Sequence, residues 1–204
     1  MGYSSTSVFL VHPRNFLSAV DTAGIGVIDC AAMMDSSARV VNCVVEPTGR
    51  KPADLRRFLE FSYGIYEDTS PWVAPLIFDL KHVFTDRNPL FKHAEMQLWM
   101  AQAGGMDVGR ICAILDRTYC ETFGPAAFFG FFECVDDPEV AQTLVNAACE
   151  WARSRGAKKI LGPMNPTTND ECGLLVEGFD LMPAFMMPYN PPYYPRLIET
   201  CAFQ

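Results

Sequence analysis

Positive charge is scarce in this sequence. Lysine and arginine total 16 against 24 acidic residues, for a formal net charge of -8 and a pI near 4.8. Nucleic acids and anionic membrane surfaces ask for a concentrated basic face, so neither is an expected partner, and an anionic ligand has to be held locally. Long apolar runs are missing as well, which excludes a membrane-spanning helix. The N-terminus has no charged flank followed by a continuous apolar core, so a secretory leader is not expected and a cytoplasmic location is. Eight cysteines are present, but Cys30, Cys43, Cys112, Cys120, Cys134, Cys149, Cys172 and Cys201 form no C-x-x-C pair and no Cys/His ligand spacing. They read as reduced core residues, and no metal is expected. The first strand-helix turn also lacks G-x-G-x-x-G, which speaks against a nucleotide-binding oxidoreductase.

What the sequence does contain suits one domain: 204 residues are enough to bury a core without staples. Fifteen Phe and ten Met suit either dense core packing or an adaptable pocket for an acyl or lipid-like group. The organising stretch is Phe128 to Pro163. Phe128–Phe132 is apolar on both alternating faces apart from Gly130, as in a strand buried on both sides. Asp137, Pro138 and Glu139 then carry the signals of a helix start. Val140, Ala141, Leu144, Val145, Ala148, Trp151 and Ala152 make one apolar helix face, Gly156 ends it, and Lys158–Leu161 begins a second strand. Strand, helix and strand in that order predict a right-handed parallel unit with ligands at its C-terminal ends.

Upstream, 1–38 holds no period for more than a few residues and reads as a poorly defined extension before a domain over 39–204. Val40–Val45 is a predicted strand, Pro52–Tyr66 a helix, and Trp72–Phe84 holds a short second helix. Lys81, His82, Arg87, Lys92 and His93 form the one basic neighbourhood, either a phosphate contact or a solvated loop. Met96–Ala101 and Val108–Leu115 are predicted strands joined by a Gly-containing hairpin connection over Gln102–Asp107. Arg110, among apolar neighbours, either snorkels or pairs with a carboxylate such as Glu95. Arg117–Pro125 reads as a turn-rich link.

The densest polar cluster in apolar company follows the parallel unit, from Gly162 to Gly173 and again from Pro183 to Tyr194. It issues from the C-terminal end of a strand and offers Asn165, Asn169, Glu171, Tyr189, Asn190, Tyr193 and Tyr194 as groups able to bind or move protons. The alternative is a long loop shaped by Asn-Pro and Gly, with tyrosines covering the core.

Several strings, in this order, resemble the GNAT acyltransferase superfamily, and within it the bacterial ceramide synthase-like (YghO-like) branch. They are Tyr66-Glu67-Asp68 with Pro71-Trp72-Val73; Asn88-Pro89-Leu90-Phe91; Val108-Gly109-Arg110-Ile111; Phe129-Gly130-Phe131-Phe132-Glu133; Gly162-Pro163 with Asn165; Gly173-Leu174-Leu175 with Gly178-Phe179; and Tyr189-Asn190-Pro191 with Tyr193-Tyr194. The resemblance runs from about Val40 to Phe203. It implies an α/β (mixed-sheet α+β) fold lacking the usual last strand, and an acyl-CoA-dependent N-acyltransferase moving a long-chain acyl group to an amine such as a sphingoid base.

By the same resemblance, acyl-CoA is a co-substrate whose pantetheine arm lies between the splayed strands Phe129–Glu133 and Lys158–Leu161. Phe131, Phe132, Glu133 and Asn190 are then cofactor-binding, and Asn169 and Tyr189 substrate-binding. Glu171 is the proton acceptor, Tyr194 or Tyr193 the donor, and Asn165 a positioning group. A lipid substrate would bring peripheral membrane contact, and a homo-oligomer or a missing C-terminal half would complete the sheet. Two positions depart from the superfamily pattern. Its Gly-rich pyrophosphate turn is replaced by Glu133-Cys134-Val135-Asp136-Asp137-Pro138, and the tyrosine expected seven or eight residues after the final Asn is Leu197 or Ile198. The missing Gly-rich turn and the missing last strand point to the alternative, a catalytically inactive GNAT-like binding or scaffold module, or a truncated fragment.

Overall fold

The computed structural model describes residues 26–29 (backbone only), 43–66 and 70–201. Its centre is a six-stranded mixed sheet in the order β1-β6-β5-β4-β3-β2. The strands are β1 (Gly26–Asp29), β2 (Cys43–Thr48), β3 (Ala94–Ala103), β4 (Met106–Asp116), β5 (Ala126–Cys134) and β6 (Lys159–Gly162). All neighbours are antiparallel except β5 and β6, which are parallel as their crossover helix demands. Helix α1 (Pro52–Glu60) continues into a 3-10 turn at Phe61–Gly64, α2 spans Ile77–Val83, α3 Arg117–Phe123, α4 Pro138–Ser154 and α5 Tyr194–Thr200. A small antiparallel pair, β7 (Met164–Asn165) and β8 (Glu171–Cys172), follows β6.

All nine residues of β5 are buried, as an apolar run without alternation requires. One sheet face packs on α4 and α5, through Val140, Leu144, Ala148, Leu197 and Ile198 against Trp99, Ile111 and Phe129. The other carries Leu55, Phe58, Phe84 and Leu90 against Leu98, Met100, Phe128 and Phe131. Asp137 caps α4, its Oδ1 accepting from the Glu139 and Val140 amides at 2.8 and 3.4 Å. The hairpin between β3 and β4 turns through Gly104 and Gly105 at φ 58° and 79°, the left-handed pair a two-residue turn needs.

Several expectations are corrected. Most of the expected turn-rich link Arg117–Pro125 is the helix Arg117–Phe123, because the Asp116 carboxylate caps the amides of Thr118 and Tyr119 at 2.8 and 3.2 Å. The strand expected at Val40–Val45 runs on to Thr48, with its described part Cys43–Thr48 and 40–42 outside the described residues, and the helix expected to Tyr66 stops being α-helical at Glu60. Gly26–Asp29, inside the expected extension, is a strand pairing antiparallel with β6; the rest of 1–38 lies outside the described residues. Among the described residues the cysteines form no disulfide, and Cys112, Cys134, Cys149 and Cys201 are buried; Cys30 lies outside them.

Candidate active site

The parallel pairing of β5 and β6 covers only Ala126–Phe128 against Lys159–Leu161. Beyond it the strands diverge, and β5 carries a bulge against β4 between Arg110 and Cys112. There Phe131 takes φ 49°, a left-handed conformation uncommon for a bulky residue. Its amide points at the Asn165 side chain and donates to Oδ1 at 2.6 Å. Gly130 lets β7 come this close, since a Cβ there would sit 1.8 Å from the Met164 carbonyl oxygen.

Farther along β5, Tyr194 and Tyr193 fold back from the start of α5. The Tyr194 hydroxyl accepts from the Cys134 amide at 2.9 Å, and the Tyr193 hydroxyl donates to the Cys134 carbonyl at 2.9 Å. The divergent edge of β5 is therefore occupied by the protein's own side chains at Phe131 and Cys134.

Inside this edge lies a buried polar cluster centred on Glu133. Its Oε2 accepts from the Tyr194 hydroxyl at 2.6 Å, the Tyr66 hydroxyl lies 3.3 and 3.4 Å from its two oxygens, and Arg110 Nη2 is 3.5 Å from Oε1. Arg110, only 4% exposed, also donates from Nη1 to the carbonyls of Phe58 and Leu59 at 2.5 and 3.2 Å and lies over the Phe58 ring. Burial pushes the Glu133 carboxyl above the usual range despite the opposing Arg110 charge. Burial beside that carboxylate also raises the Tyr66 and Tyr194 hydroxyls far above the ordinary phenol value.

Arg110 pairs with a carboxylate, one of its two expected readings, but the partner is Glu133 and not Glu95, which faces Arg117 at 2.6 Å and Arg155 at 3.2 Å. Sequence reasoning missed Tyr66 as a site residue. Its ring stacks on Trp72 with centroids 4.2 Å apart, and its hydroxyl also donates to the Tyr189 carbonyl at 3.1 Å.

Glu171 lies on β8 opposite Asn165 and is exposed as a residue. Its carboxyl group is nevertheless drawn toward the protein beside the Asn165 amide, and this burial raises it. Tyr66 feels the charges of both Glu133 and Glu171, so Glu171, Asn165, Glu133, Tyr193 and Tyr194 gather in one region. Asn169 stands apart, exposed on the turn between β7 and β8. Asn190 is buried with its side chain spent inside the protein, accepting from the Leu175 amide at 2.7 Å and donating to the Leu175 and Pro191 carbonyls at 3.2 and 3.0 Å. The Phe131 and Phe132 rings lie in the two core clusters. Tyr189 borders an apolar cavity lined by Leu175, Leu181, Met182 and Met187.

Among the described residues, no group of three or more His, Cys, Asp or Glu side chains could hold a metal ion. In that same set no helix is long and apolar enough to cross a membrane.

A diverging strand pair with a buried carboxylate-tyrosine cluster beside it, on a mixed six-stranded sheet, defines a mixed-sheet α/β protein. The chain is 38% identical over 151 residues to Protein YghO of Escherichia coli, an overlap of 74% of this chain and 39% of that protein. It is 40% identical over 154 residues to the bacterial ceramide synthase of Caulobacter vibrioides, covering 74% of this chain and 40% of the relative. The matched part therefore spans about two fifths of each relative's length. No protein-family model matches the chain.

Proposed function

We propose that the chain is the acyl-transferring part of an N-acyltransferase that moves a long-chain acyl group from acyl-CoA to a primary amine of the sphingoid type. The observation that carries this reading is the Glu133–Tyr194 pair, a buried carboxylate raised above its usual range with a tyrosine hydroxyl 2.6 Å away. Similarity to a bacterial ceramide synthase supports the substrate class.

In the reaction the amine nitrogen bonds to the thioester carbonyl carbon, the C–S bond breaks, one N–H proton leaves and the thiolate gains one. A carboxylate raised toward neutrality is matched to accepting the amine's proton. Tyr194 alone would give up its proton reluctantly, because the neighbouring carboxylate opposes a tyrosinate. Once Glu133 is protonated that opposition is gone: Tyr194 passes its proton to the thiolate and is refilled from Glu133. The pair thus carries one proton from amine to thiol with no net change in charge. Geometry favours Glu133 over Glu171 for this role, since Glu133 has a tyrosine hydroxyl bonded to it and Glu171 has none among the described residues. Asn165 positions the Phe131 amide, a donor suited to a carbonyl oxygen once the Asn165 side chain swings away.

A non-catalytic lipid-binding module is the second reading, favoured by the occupied edge of β5. Incubation with long-chain acyl-CoA and a sphingoid base, following free thiol and amide product, separates the two. Turnover is expected; its absence, together with no acyl-CoA-dependent thermal shift, would sink the transferase reading.

A further inference from the structure

The loop between Leu175 and Asn190 is clamped at its neck and apolar at its tip. Asn190, 4% exposed, ties the neck through both backbone groups of Leu175. The Tyr189 hydroxyl donates to the Phe179 carbonyl at 2.8 Å, and backbone bonds from Leu181 to Gly178 and from Met187 to Ala184, both 3.0 Å, close two turns within it. Held this way, the loop projects Met182 at 77% exposure, Phe185 at 93% and Met186 at 46%. Met186 also takes φ 62°, a left-handed conformation at the tip. Holding such side chains in water forgoes about 2 kcal/mol for a phenylalanine alone, so a tip of this kind marks a contact surface.

We infer that this tip enters the hydrocarbon edge of a lipid bilayer and that the small cavity behind it takes the end of one chain from that bilayer. The inference rests on the transferase reading only for the fate of the chain. The cavity, about 110 Å³, has room for only a few methylene groups and is lined by aliphatic and thioether side chains including Leu175, Leu181, Met182 and Met187, a lining that suits the end of a flexible hydrocarbon. Its inner wall is Tyr189, whose carbonyl is bonded to Tyr66 and so adjoins the Glu133 cluster. Between Gly173 and Pro195 the ionisable side chains besides tyrosine and cysteine are Glu177 and Asp180, with no lysine or arginine. Attachment is therefore driven by apolar burial, not by attraction to anionic headgroups, and tolerates salt.

Flotation of the protein with phosphatidylcholine vesicles, without acyl donor, tests this independently of catalysis. Co-flotation is expected and should change little between low and high salt. Phe185→Ser should weaken it roughly tenfold or more while leaving thermal melting and turnover of short, water-soluble substrates unchanged. The inference fails if the wild-type protein does not float, floats only with anionic vesicles, or floats equally well as Phe185→Ser. It also fails if sedimentation shows a dimer that Phe185→Ser dissociates in the absence of vesicle binding, since a second copy would then cover the tip. Absence of turnover by the wild-type protein, with vesicle binding intact, would overturn the transferase reading alone.

Discussion

Glu133 has its partners far away in the chain, Arg110 on the neighbouring strand and Tyr66 and Tyr194 from opposite ends of the described fold. Glu133→Gln keeps the side-chain shape but cannot take up a proton. It should lower kcat by about 10²–10⁴-fold while retaining the fold, and remove the acidic limb of the pH–rate profile. In the wild type that limb should lie above the ordinary glutamate range, because the base must be ionised to act and its carboxyl is raised. The same shift acts on stability. Between the ordinary value of 4.5 and the raised one, the folded state keeps a proton that the unfolded chain releases, so stability falls as pH rises through that window. Glu133→Gln should flatten this slope in denaturant titrations at several pH values. Tyr194→Phe removes the acceptor of the Cys134 amide and a donor to Glu133, and should cost about 1–3 kcal/mol by urea unfolding. The sequence shows Asn165, Tyr193 and Tyr194 as polar groups among apolar neighbours downstream of the second parallel strand. The Arg110–Glu133 contact was not legible there, since hydropathy along one strand is silent about which residue of the next strand it will face.

The bulge on β5 and the approach of β7 depend on one another. Gly130→Ala would drive a methyl group into the Met164 carbonyl, separating β7 from β5 and the Asn165 side chain from the Phe131 amide. A loss of about 1–3 kcal/mol or more is expected by thermal or urea unfolding, accompanied by loss of the proposed transferase activity. Asp137→Ala, at the cap of α4, should cost about 1 kcal/mol in the same measurement. The parallel unit, its cap and the hairpin were all readable, because each is specified by residues within one turn or one alternating run. Helix α3 was not: its seven residues are too few to establish a period, and the informative residue was Asp116, which reads equally well as the end of a strand. The edge pairing of β1 with β6 escaped because Gly26–Asp29 is too short to stand out from its surroundings.

For the whole molecule, the two core clusters lie on opposite faces of one sheet and share β3, β4 and β5. Loosening either face exposes the same strands, so the described domain should unfold in one transition, with calorimetric and van't Hoff enthalpies in agreement; two separated transitions would contradict this. The acidic balance of the chain could be read from composition, whereas the position of its apolar loop tip could not, because exposure belongs to the folded surface. The hydroxyls of Tyr193 and Tyr194 meet both backbone groups of Cys134, doing for the end of β5 what a neighbouring strand would do. Apolar strands with unpaired edges recruit other chains. These two side chains therefore also act as a guard against aggregation, and a Tyr193→Phe, Tyr194→Phe double variant should form light-scattering assemblies at concentrations where the wild type stays dispersed.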